Sequence, residues 1–79
     1  MRKISLSERN LYWKAMIKDT IYVIINNKVE YCHVKIDRNF RGRIGLAVYF
    51  NGEFITMVFI EDFNVIWSFN YDSLYKKLK

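Results

Sequence analysis

The sequence predicts an α+β domain. It reads as an N-terminal helix, a five-stranded antiparallel meander sheet that either stays open or curls toward a small barrel, and a short C-terminal helix. Three observations carry this. Ser5 and Glu8 have capping-box spacing at the start of a helical apolar pattern. The chain from Ile21 to Phe69 is rich in β-branched and aromatic residues, and is interrupted by the turn-forming pairs Asn26-Asn27 and Asn51-Gly52. Asn70 or Asp72 can cap a last segment in which Leu74 and Leu78 share a helical face.

A helix is predicted over 6–18. Leu6, Trp13 and Ile17, with Tyr12 and Met16, form one broad apolar face, while Arg9, Asn10, Lys14 and Lys18 point elsewhere. Strands follow at Ile21–Ile25 and Val29–Ile36. A basic loop spans Asp37–Gly42, and further strands are expected at Ile44–Phe50, Phe54–Ile60 and Val65–Phe69. A two-residue turn at Asn51-Gly52 pairs Phe50 with Glu53, Val48 with Ile55, Leu46 with Met57 and Ile44 with Phe59 on a core face. The other face then pairs Tyr49 with Phe54, Ala47 with Thr56 and Gly45 with Val58. A meander further sets Val58 against Trp67 and Thr56 against Phe69. Both faces of this half-sheet are apolar, so something must cover the second one: the helices, curling of the sheet, or another molecule.

Seventy-nine residues make one domain, 1–79, with one core and little room for a deep cavity. With 52% hydrophobic and 18% aromatic residues the chain is too apolar to be disordered. No apolar run approaches the roughly 18–20 residues of a membrane span, no secretory leader is legible, and the lysine-bearing tail is too short for an interfacial helix. No membrane partner is therefore expected. One cysteine excludes an internal disulfide framework and suits a reducing compartment. Ile, Lys, Asn, Tyr and Phe supply nearly half the chain, while Pro and Gln are absent. Their A/T-rich codons point to a phage, a mobile element or a low-GC bacterium, and hence to action in the (host) cytoplasm.

The net charge of +5 is divided unevenly. Residues 1–43 and the tail are basic, whereas 44–70 contain no Lys or Arg and are slightly acidic. Cys32 and His33 are the only residues of their kinds, and as strand neighbours they point to opposite faces. They make neither a nucleophile–base pair nor a metal site. Glu61 and Asp62 fall in a turn and read as solvated caps. Gly42, Gly45 and Gly52 are isolated, so no phosphate loop is present. The chain is expected to be non-enzymatic, with no cofactor and no metal.

Two features point to binding. The segment Asp37-Arg38-Asn39-Phe40-Arg41-Gly42-Arg43 places three guanidiniums around one aromatic, which suits bidentate contacts with phosphate or carboxylate. The aromatics Tyr49, Phe54, Trp67 and Phe69 lie on the apolar half-sheet, where such side chains dominate protein interfaces. The expected docking residues are therefore Arg38, Phe40, Arg41, Arg43, Tyr49, Phe54 and Trp67. The expected partner is a host or defence protein or nucleoprotein complex, which the module would inhibit or modulate by occupying its surface. Nucleic acid gripped by loop 38–43 is the alternative, and the two-sided apolar sheet also admits a homodimer.

Overall fold

The structure, a computed structural model, describes residues 5–78. Helix α1 (Leu6–Lys18) starts where its cap predicts, with the Ser5 hydroxyl accepting from the Glu8 N–H at 3.1 Å. It ends at Asp19, a left-handed residue (φ 64°) whose N–H reaches the Ala15 carbonyl. Strands β1 (Thr20–Ile25), β2 (Lys28–Arg38), β3 (Ile44–Phe50) and β4 (Glu53–Val58) run as an antiparallel meander. Asn26 and Asn27, and then Asn51 and Gly52, all have positive φ, as a two-residue turn matched to strand twist requires. A 3₁₀ turn (Ile60–Asp62), the short strand β5 (Trp67–Ser68), helix α2 (Tyr71–Tyr75) and a final 3₁₀ turn (Lys76–Leu78) complete the order. The α+β architecture is thus the one expected.

The fifth strand departs from the meander. The sheet order is β4-β3-β2-β1-β5, so Trp67 pairs with Val23 and Ser68 with Tyr22, and the expected contacts of Val58 with Trp67 and Thr56 with Phe69 do not form as neighbouring strands. Asp62 organises the crossing. Its carboxylate accepts from the Phe59 N–H at 2.9 Å, and its carbonyl accepts from Val65 and Ile66. The hydrogen-bonded sheet is open but strongly curled. A flat five-stranded sheet would hold its edges about 19 Å apart, yet the indole N–H of Trp67 on β5 donates to the carbonyl of Phe59, just past β4, at 2.8 Å.

The register of β4 also corrects the expectation. Phe50↔Glu53 and Tyr49↔Phe54 hold, but a bulge then shifts the strand by one residue, giving Val48↔Thr56, Ala47↔Met57 and Leu46↔Val58. Val58 thereby enters the core in place of Met57. Phe59 falls over Gly45, where an added Cβ would lie 2.6 Å from the ring and 2.9 Å from the Val58 carbonyl oxygen. Gly45 is there because the aromatic needs its space.

Helix α1 packs in the opposite sense to the apolar count. Glu8, Tyr12 and Ala15 face the sheet, while Leu6, Trp13 and Ile17 face outward. The cause is the connection. One residue separates α1 from β1, and the Asp19 carbonyl accepts from the Val34 N–H, so the helix phase is fixed at its end. Ala15 lets the backbones approach. Tyr12 and Ala15 then join Ile21, Val23, Cys32, Val34, Leu46, Val48, Val58 and Trp67 in the core. On the second face α2 buries Leu74 over β1 and β2, with Tyr71 edge-on to Tyr22 at 5.9 Å. The chain's own C-terminal helix supplies part of the cover that the apolar sheet demanded.

Candidate binding site on the β2–β3 hairpin

Beyond Val34 every residue of β2 is exposed, so this end of the β2–β3 hairpin projects past the core. Asn39 sets the shape of its tip. The Asn39 side-chain oxygen accepts from the backbone N–H groups of Arg41 and Arg43, both at 2.9 Å. Its carbonyl accepts from Gly42, its own N–H donates to the Arg43 carbonyl, and Gly42 takes the left-handed conformation (φ 82°) that closes the turn. Arg38 adds a guanidinium bond to the Gly42 carbonyl at 3.0 Å. The loop is internally hydrogen-bonded rather than loose.

That scaffold presents Phe40 at 92% exposure, with the Arg41 guanidinium 5.4 Å from its ring centre. Arg38, Phe40 and Arg41 thus share the tip as expected. Arg43 does not join them. It turns back over the Phe59 ring at 4.3 Å and clasps Glu61 with both terminal nitrogens, which holds its pKa above the usual value. Arg43 anchors the loop to the fold and is removed from the docking set.

The aromatic half of the expected site divides as well. Tyr49 and Phe54 are cross-strand neighbours on the second face, edge to face at 5.9 Å, with Phe54 exposed and Tyr49 half-buried. Trp67 lies on the other face with 0% exposure, among Tyr12, Val23 and Val58. It is a core residue and can touch no partner. Sequence reasoning missed Lys35 and His33, which join Tyr49 on this face. His33 pairs with Tyr49 across the sheet, and the Lys35 ammonium lies 5.4 Å over the Tyr49 ring. The signal was present in the period-two alternation of β2, since odd-numbered positions from Tyr31 to Lys35 share Tyr49's face once the β2–β3 register is known.

The chemistry-bearing groups elsewhere are separated. Cys32 is buried, and burial together with Glu30 pushes its thiol up to about 11, far from a reactive thiolate. His33 faces the opposite way, its ring 3.7 Å from the Asp19 carboxylate. Among the described residues no three of His, Cys, Asp and Glu converge as metal ligands would. Tyr12 is enclosed near Glu8, and burial, reinforced by that carboxylate, pushes its hydroxyl up to about 12. No protein-family model, curated protein or solved structure matches the chain.

Proposed function

We propose that the protein is a small non-enzymatic binding module that docks on another macromolecule through the β2–β3 tip and so inhibits or modulates it. One observation carries the reading: a phenylalanine 92% exposed on a hydrogen-bonded tip, stacked with an arginine. Holding a large apolar ring in water does nothing for folding. An ordered aromatic–arginine pair is the kind of anchor that dominates interfaces, because little side-chain freedom is lost on binding. Arg38 adds positive charge beside it, so the complementary surface is acidic. The A/T-rich composition supports a phage or mobile element as the source, and a host or defence protein or nucleoprotein complex as the target.

The test is affinity capture from a host lysate with the wild-type chain and with a Phe40→Ala/Arg41→Ala double variant. Stoichiometric recovery of one partner by the wild type, lost in the variant, is the expected result. Equal recovery by both, or no stoichiometric partner, overturns the reading.

A second reading, nucleic-acid binding, is favoured by Lys35 over Tyr49 and by the adjoining Phe54, a cation beside two rings on which bases could stack. Labelled single- and double-stranded DNA and RNA, titrated at two salt concentrations, separate the two readings. Affinity that falls steeply with salt supports nucleic acid, because each neutralised phosphate releases counterions. Absence of binding at low salt ends it.

A further inference from the structure

Helix α1 is held to the sheet by Tyr12 and Ala15, and its opposite side is open. Leu6, Trp13 and Ile17 occupy that side at 71%, 66% and 70% exposure, with Met16 half-exposed at its flank. At about 100° per residue the three fall within about 40° of one another, diametrically across from Ala15. Arg9, Lys14 and Lys18 flank the ridge, and Lys14 also caps the Phe69 ring at 4.8 Å. Glu8 is the helix's one acidic residue and is turned inward at 3% exposure. The outward surface of α1 is therefore apolar along its crest, and the charges along its sides are all cationic, with Ser7 and Asn10 as neutral polar neighbours.

We propose that α1 docks on an anionic lipid surface, with Leu6, Trp13 and Ile17 seated among the upper acyl chains and Arg9, Lys14 and Lys18 at the level of the phosphates. Charge complementarity selects this occupant. A second copy of the chain would bring the same three cations against themselves. A groove that wraps a helix would need flanks that the sheet already occupies, whereas a membrane boundary accepts a convex ridge. Tryptophan suits that boundary, with its apolar body and one polar N–H. No described helix is long and apolar enough to cross the bilayer, so α1 would lie in its plane. The expectation of no membrane partner rests on the lack of a spanning run and on the short tail, and does not weigh the side of α1 on which Leu6, Trp13 and Ile17 stand exposed.

The two tryptophans make the test direct. Trp67 is already enclosed in the core, so a change in emission on adding vesicles reports Trp13. The full chain is titrated with vesicles of phosphatidylcholine alone and of phosphatidylcholine with an equal part of phosphatidylglycerol, and binding is confirmed by flotation. A blue shift is expected with the anionic vesicles, at about 100-fold stronger partitioning than with neutral ones, weakening as salt is raised. Ile17→Glu and Leu6→Glu, both at exposed positions, should each abolish the shift while leaving the circular dichroism spectrum unchanged. Arg41→Ala, on the hairpin tip, should leave it intact, which keeps this result separate from that of the docking loop. No partitioning into anionic vesicles, equal partitioning into neutral ones, or a self-association that Ile17→Glu dissolves would each overturn the proposal.

Discussion

Two arginines two positions apart on one loop have opposite surroundings. Arg43 stacks on Phe59 and is clasped by Glu61, with its Nε buried against the fold. Arg41 stacks on Phe40, and among the described residues no carboxylate is paired with it. The local chemistry is the same, a guanidinium on a phenyl ring. What differs is the support behind the ring. Phe59 is seated over Gly45 and tied through its backbone to Asp62 and Trp67, whereas Phe40 stands 92% exposed. An arginine–aromatic pair backed by the fold and closed by an acid is a brace. The same pair projecting from a tip is a docking element awaiting its acid.

The largest effect is expected at the brace's foundation. Gly45→Val would drive a side chain into the Phe59 ring and the Val58 carbonyl, so ring and strand must shift together. A loss of about 1–3 kcal/mol is expected, as for overpacking in a closed core, measured by urea unfolding. A loss below about 0.5 kcal/mol would mean that Phe59 swings away freely, and the contrast between the two rings would collapse. Next comes the clasp itself. Arg43→Ala should cost about 1 kcal/mol, since a bidentate pair with a partly exposed carboxylate is strongly screened and the stacking adds little more. A double-mutant cycle with Glu61→Gln sharpens this, because coupling indistinguishable from zero would show Arg43 and Glu61 to be neighbours without a bond of consequence.

How much of this was readable beforehand follows from the range of each cause. The Ser5 cap, the Asn26-Asn27 and Asn51-Gly52 turns and the helix over 6–18 are set by residues within four positions of one another, and all were legible. The tip residues Arg38, Phe40 and Arg41 were legible for the same reason, because Asn39 and Gly42 build the loop locally. Three outcomes depend on distant partners. The facing of α1 is fixed by the Asp19 junction with β2, the shift in β4 by the room at Gly45, and the placement of β5 by the free edge of β1. Trp67 was misassigned to the surface because its face follows from that last pairing. Arg43 was misassigned because its acid lies eighteen residues on, in a turn read only as a solvated cap.

The smallest effect is the one that decides whether the tip is a surface at all. Phe40→Ala and Arg41→Ala should each leave stability within about 0.5 kcal/mol of wild type. A ring 92% exposed has almost no buried area to lose, and an exposed stack on it is worth little. The loop's own shape should persist, since Asn39 and Gly42 hold it through backbone groups that neither substitution touches. Unfolding midpoints and the backbone amide shifts of 38–43 check this. A destabilisation above about 1 kcal/mol in either variant would show that Phe40 or Arg41 is used by the folded chain itself. Arg41 would then be a second brace, and the physical basis for a docking tip would be gone. Unchanged stability beside a measurable cost at Arg43 would establish that the loop braces the fold at its base and leaves its tip free to bind.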